Sequence, residues 1–163
     1  MLAQRALELV LAKYNERELK NTGAIEIDNG GYHFIVGMHV AFFVCLLCEK
    51  LILHRALNHY GIILVIFFCL AQFLRYWSIA SLGIYWNTKI LVAPHHPLIR
   101  KGPYQILRHP NYVAVEIEFA VVPLIFSCFL TSLSFTILNA FVLRRRIGIE
   151  MRALKKSFEI YCE

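Results

Sequence analysis

Residues 94–112 read PHHPLIRKGPYQILRHPNY and set Tyr104, Arg108, His109, Asn111 and Tyr112 among four prolines. Proline fixes φ and restricts the residue before it, so a continuous helix is disfavoured here. Gly102-Pro103 is a turn signal. A connector needs no such stiffness merely to connect, whereas one that meets a polar ligand needs its side chains and free backbone groups held in place. An ordered turn without a ligand is the competing reading. Arg146 and Glu150 form a second set, one helical turn apart and on one face. A guanidinium aligns an oxyanion through its planar fork, and the carboxylate can offset cationic or amino groups. The plain alternative is a helical ion pair worth a few tenths of a kcal/mol. His95, His96 and His109 lack a fourth ligand at zinc-like spacing, so no metal site is expected.

The rest of the chain indicates what positions these groups. Of 163 residues, 58% are hydrophobic and 17% charged, where soluble domains average about 45–50% and about 25%. Those proportions exclude disorder, collagen, coiled coil and a disulfide-stapled secreted scaffold. Residues 29–48, 56–74 and 119–143 contain no Asp, Glu, Lys or Arg. A bilayer core of about 30 Å takes roughly 20 apolar residues of helix. Each window is therefore long enough to cross, and lipid selects helices because every backbone amide must be paired internally. Counted from Val113, the last window is too long for one untilted span, so a break near Pro123 or at residues 131–134 would fold it into a hairpin.

Charge sets the topology. Lys89, Arg100, Lys101 and Arg108 precede the last window, and Arg144, Arg145, Arg146, Arg152, Lys155 and Lys156 follow it. Both groups lie on the cytoplasmic side only if that window crosses twice. The expected fold is a single all-α integral membrane domain over 1–163 with four transmembrane helices, at about 32–52, 60–83, 112–129 and 132–146. Both termini would be cytoplasmic and 75–163 would form the catalytic part. Residues 1–30 separate Leu2, Leu9 and Val10 from Arg5, Glu8 and Arg17, and read as an amphipathic interfacial helix. The net charge of +6 flanks spans and suits anionic lipid headgroups, not nucleic acid. Cys45, Cys48, Cys69 and Cys128 sit in apolar windows, where small packing residues are expected. Acids inside a span are functional by default. One of Glu116 and Glu118, with Glu118 preferred, would pair with Arg75 or accept a proton from substrate. Tyr76, Trp77, Tyr85 and Trp86 read as an interfacial aromatic belt.

The runs His96-Pro-Leu-Ile, Gly102-Pro103-Tyr104 and Arg108-His109-Pro110-Asn111-Tyr112 resemble the cofactor segment of the isoprenylcysteine carboxyl methyltransferase family. Arg75 and Trp86 resemble its preceding span. Arg146-Ile-Gly-Ile-Glu150, followed by Leu154, Phe158 and Tyr161, is similar to its terminal helix. The resemblance implies S-adenosylmethionine at the cytoplasmic ends of the last spans, held by His96, Pro97, Leu98, Ile99, Tyr104, His109, Pro110, Asn111, Tyr112 and Glu150. Arg146 would face the acceptor group, with Arg75 beside the substrate. Lys89 and Met151 depart from the family pattern. The N-terminal part resembles a bacterial branch that O-methylates alkylpyrones beside type III polyketide synthases, which implies a functional link to such a synthase.

The chemistry agrees with the resemblance. Methyl transfer from a cationic sulfonium to an anionic oxygen destroys both charges, so a site poor in water favours it. An in-line displacement needs alignment more than acid–base machinery, and orientation supplies up to about 7–11 kcal/mol. The expected enzyme is an integral membrane O-methyltransferase of the cell membrane with its site facing the cytoplasm. Its acceptor, a lipophilic carboxylate or enol, would enter from the bilayer. Arg146 and Glu118 are the candidate catalytic residues. The alternatives are an NADPH-dependent sterol-type reductase, which shares the RHPNY region, and a non-enzymatic membrane scaffold.

Overall fold

A computed structural model describes residues 2–27, 29–92 and 99–161. His95, His96, Pro97 and Leu98 lie outside the described residues, as do the side chains of Leu2, Phe158 and Tyr161. The chain runs through helix α1 (Leu2–Asn21), strand β1 (Ile25–Glu26), helices α2 (Asn29–Ile52) and α3 (Gly61–Leu82), and strand β2 (Leu91–Val92). Helices α4 (Pro110–Ile125) and α5 (Phe129–Tyr161) follow. Strands β1 and β2 pair antiparallel, Ile25 with Val92 and Glu26 with Leu91.

Among the described residues, two helices, over Gly30–Ile52 and Gly61–Tyr85, are long and apolar enough to cross a membrane. Only 17% of each window is buried inside the protein, whereas a core helix of a soluble domain would be mostly covered. Their outer faces carry exposed Val44, Ile62, Ile66 and Phe73. A continuous apolar surface of that extent in water would be unstable. The inward faces pack Met38 and Phe42 of α2 against Val115, Phe119 and Val122 of α4 and Phe135 of α5. Phe42 touches both Phe119 and Phe135, at ring-centroid separations of 4.6 and 5.6 Å.

The last window folds as a helical hairpin. Pro123 donates no amide to the helix but its carbonyl accepts from Phe126 and Cys128, and Ser127 takes φ of +56° at the turn. The break thus falls at 126–128, just beyond Pro123, and not at 131–134. Those residues are helical: Thr131 donates its hydroxyl to Glu49 and Ser132 donates to the Ala120 carbonyl. Three polar rungs stitch α4 to α5, Ser132 to Ala120, Asn139 to Glu116 and Arg146 to Tyr112. Residue numbers rise along α5 as they fall along α4, so the helices are antiparallel. Interhelical hydrogen bonds of this kind hold helices together where no hydrophobic drive separates them from lipid.

Helix α1 differs from the interfacial expectation in which face it hides. Gln4 donates to Gln72, Glu8 accepts from Arg75, and Asn15 donates to the carbonyls of Gly83 and Trp86. These pairs keep a near-constant offset of 68 and 67 residues, so α1 runs parallel to α3 with its polar stripe turned inward. Glu8 and Asn15 are buried, while Leu7 and Val10 are exposed. Of the four cysteines in the apolar windows, Cys128 is buried, whereas Cys45, Cys48 and Cys69 face outward instead of packing inside.

The C-terminal end of α1 is clasped to the strands by Lys20 and Lys89, which both pair with Glu16 and Glu26. Partial burial raises the pKa of each carboxyl, but hydrogen bonds and charge from the two lysines outweigh it and hold Glu16 and Glu26 below the ordinary value. The carboxylates raise the two lysines, chiefly through the hydrogen bond to Glu16. A lowered carboxyl contributes stability that is complete above its unfolded value and is lost as pH falls through the folded one. A raised lysine contributes stability that is lost as pH rises through its folded value. The clasp is therefore flat around neutrality and fails in acid below the ordinary carboxylate value of 4.5. We expect the thermal midpoint of the solubilised protein to fall over that range, by less in Lys89→Met. Equal acid sensitivity of the two proteins would show that the clasp contributes nothing.

Candidate functional site

The stiff connector packs where α3 ends. Gly102 takes φ of +59°, and a Cβ at that position would meet Ser81 Oγ at 2.2 Å and Trp77 Nε1 at 2.9 Å. Only glycine fits so close an approach in that conformation. Pro103 is buried behind it, and the Tyr104 hydroxyl lies within hydrogen-bonding reach of Ser78. Burial, with the Glu150 charge nearby, pushes the Tyr104 phenol well above its usual pKa, so it stays a neutral donor. Gly102→Ala is expected to push Tyr104 off this seat. Affinity for a cofactor analogue that contacts Tyr104 should fall, and calorimetry showing unchanged affinity would remove Tyr104 from the site.

Pro110 opens α4 at a position where no amide hydrogen is needed. The next residues then point into a cavity of about 140 Å³ whose walls include Tyr104, Arg108, His109, Asn111, Tyr112 and Glu150. The His109 and Tyr112 rings stack 5.2 Å apart. Tyr112 donates its hydroxyl to Glu150 Oε2 at 2.7 Å and accepts from Arg146 Nε at 2.9 Å. Arg146 also donates Nη2 to the Thr88 carbonyl. Its guanidinium sits 5.7 Å from the Tyr112 ring centroid, a cation–π arrangement.

A second cavity of about 260 Å³ adjoins it, with apolar walls that include Ile35, Val36, Val40, Phe43, Val115, Val142 and Leu143. Trp86, Asn87, Asn111, Tyr112 and Arg146 belong to both cavities. They form the wall between a polar chamber and an apolar one. Trp86 Nε1 and Asn111 Oδ1 are buried in that wall with no hydrogen-bond partner among the described residues. An unsatisfied buried polar atom is costly, and a ligand would relieve both.

Arg75 lines the apolar cavity, and its buried guanidinium pairs with Glu118 at 2.7 Å and Glu8 at 3.2 Å. Glu118 also accepts from Arg5 at 2.7 Å and from Gln72. Glu118 is thus the partner of Arg75, one of its two expected roles, and does not line the cavity that holds Arg146. Glu116 accepts from Asn139. Ile99 and Pro110 line neither cavity, although Pro110 shapes the turn into the site.

Several contributors were not expected from sequence. Trp86 is 3% exposed and belongs to the dividing wall, not to an interfacial belt; Tyr76 and Trp77 do remain exposed. Thr88 orients Arg146 through a backbone carbonyl, which no side-chain pattern reveals. Glu8 and Arg5 come from a helix that read as peripheral. The polar run Asn87-Thr88-Lys89 directly after an apolar span was the available signal.

A mostly helical chain with, among the described residues, two helices long and apolar enough to cross a bilayer fits the class of all-α membrane proteins, and its polar cavity adjoins an apolar one. The chain belongs to the isoprenylcysteine carboxyl methyltransferase (ICMT) family, a family of membrane methyltransferases, which it matches over residues 63–156. An uncharacterized protein of Bacillus subtilis (strain 168), YpbQ, is 39% identical over 156 residues, 96% of this chain and 93% of the relative. No solved structure matches the chain. The family match covers α3, the connector, α4 and most of α5, so the two chambers' shared wall lies within it.

Proposed function

We propose that the protein is an S-adenosylmethionine-dependent O-methyltransferase for a lipophilic acceptor bearing a carboxylate or an enol hydroxyl, with an alkylpyrone as the favoured class. The observation that carries this reading is the wall shared by the two chambers. It allows a polar donor and an apolar acceptor to approach from opposite sides and meet at Arg146. Methyl-donor groups suit the polar chamber. Trp86 Nε1–H and Asn111 Oδ1 are an unused donor and acceptor, Tyr104 is a neutral phenol, and Glu150 is an acid able to face a cationic ligand.

When bound, the cofactor supplies a sulfonium methyl group. The chain's own residues do the rest. Tyr104, His109 and Glu150 hold the donor's polar groups, and Arg146 holds the acceptor's oxyanion through Nη1, which makes no hydrogen bond among the described residues. The apolar chamber excludes water, so the two opposite charges are not stabilised apart. In this reading α2, α3, α4 and the first part of α5 are four spans, the basic segments and the polar chamber face the cytoplasm, and the acceptor enters laterally from the lipid. A type III polyketide synthase would be the upstream source of an alkylpyrone.

The test is calorimetry of the detergent-solubilised protein with S-adenosylmethionine and its demethylated product, followed by radiolabelled methyl transfer to alkylpyrones and prenylcysteines. We expect donor binding and labelled ether or ester. Val142→Trp, which fills only the apolar chamber, should raise the acceptor KM and leave donor affinity unchanged. Binding of NADPH in place of the methyl donor would overturn the assignment.

A further inference from the structure

We propose that Tyr112 and Glu150 form the route by which a proton leaves the acceptor, and that the reacting group is therefore an acidic hydroxyl and not a carboxylate. This rests on the methyl-transfer reading above and narrows it. The hydrogen bonds have a settled direction, because a guanidinium only donates and a carboxylate only accepts. Arg146 Nε gives its hydrogen to Tyr112 Oη, and Tyr112 gives its own to Glu150 Oε2. Tyr112 Oη keeps one lone pair, and Tyr112 is a residue that lines both chambers. Glu150 lines only the polar one. A proton entering at Tyr112 thus leaves on the side away from the apolar chamber, where His109 Nδ1 stands 3.9 Å from Glu150 Oε2.

Arg146 can hold the deprotonated acceptor beside this relay. Its Nε and one Nη2 hydrogen go to Tyr112 and the Thr88 carbonyl, and Nη1 stays free to donate to the oxyanion that the relay leaves. An ionised carboxylate has no proton to lose, and a Tyr–Glu relay beside it would be idle. A hydroxyl must lose one for its oxygen to become a competent nucleophile.

The step balances as follows. On binding, the acceptor O–H bond breaks and its proton passes to Tyr112 Oη while the Tyr112 proton passes to Glu150 Oε2. This leaves an oxyanion on Arg146 Nη1. In the transfer, the new oxygen–methyl bond forms from an oxyanion lone pair as the sulfur–methyl bond breaks, and sulfur keeps that bond's electrons. Glu150 then releases its proton to water.

The probe is an alkyl hydroxypyrone bound to the full chain with S-adenosylhomocysteine, which cannot transfer a methyl group, at a pH where the free pyrone in micelles is protonated. We expect the absorbance of the bound pyrone to be that of the enolate. An infrared difference spectrum should show a new carboxylic-acid carbonyl band that is absent in Glu150→Gln. Tyr112→Phe should bind the pyrone as its neutral enol, without that band, and with S-adenosylmethionine should methylate it about 100-fold more slowly or worse. If the wild-type protein binds the pyrone as the enol, or if Tyr112→Phe keeps both the enolate and the band, the relay is wrong. Methylation of a fatty acid of equal chain length in preference to the pyrone would also overturn it while leaving the methyltransferase standing. Absence of any donor binding would sink both.

Discussion

Arg146→Ala is expected to abolish methyl transfer in a protein that still folds. Arg146 sits on the wall between the chambers and is held from two sides, by Tyr112 and by the Thr88 carbonyl. No carboxylate lies within ion-pair distance of it among the described residues, in contrast to Arg5 and Arg75. An uncompensated cation this buried, at 9% exposure, is poised for an anion that arrives. Losing a group that stabilises reacting charge costs about 100- to 1,000-fold in kcat. Alanine also frees Tyr112 to lose its orientation toward Glu150. Folding should survive, because the hairpin keeps its other two rungs at Ser132 and Asn139. Radiolabel transfer and a thermal melt in one detergent decide it. A variant within tenfold of wild type would show that Arg146 does not anchor the acceptor.

Glu118→Leu should be the most damaging single change to stability away from the site. Arg75 is 1% exposed and Glu118 2%, and Arg5 and Glu8 complete a neutral group of two cations and two anions. Removing Glu118 leaves two guanidiniums sharing Glu8, with one positive charge in excess in a buried group, which costs about 3–5 kcal/mol. For a chain of this size that corresponds to roughly 6–20 °C in thermal midpoint. The double variant Arg75→Met with Glu118→Leu should be less destabilised than the single, since Arg5 and Glu8 still pair at 2.8 Å and no charge is abandoned. If Glu118→Leu melts with the wild type, the network does not tie α1 to α3 and α4. The expected loss also predicts that α1 becomes accessible to protease while α4 and α5 remain protected.

Much of this architecture is legible from residue type and spacing alone. The long uncharged windows require helices because an unpaired amide is prohibitive in hydrocarbon, and the basic clusters on both sides of the last window required it to double back. The hairpin does so, with its turn just beyond Pro123. The stiffened RHPNY connector and the Arg146/Glu150 pair meet as their spacing demanded, since residues four apart share a helical face. Local chemistry thus determined the helices, the hairpin and seven of the residues around the polar chamber.

What only the tertiary structure decided depends on partners distant in sequence. Whether α1 turned its polar or its apolar stripe inward could not be read from the stripe itself. The answer lay in Gln72, Arg75 and Glu118, whose unmet polar groups demanded partners. Trp86 looked like an interfacial aromatic until α1 covered it. Glu118 had two credible roles, and the fold pairs its carboxylate with Arg75 and also with Arg5, more than a hundred residues away. The division into two chambers likewise arises only where five residues from three separate segments converge. Periodicity and composition act over one or two turns, whereas burial, pairing and cavity walls are set by whichever distant groups the fold brings alongside.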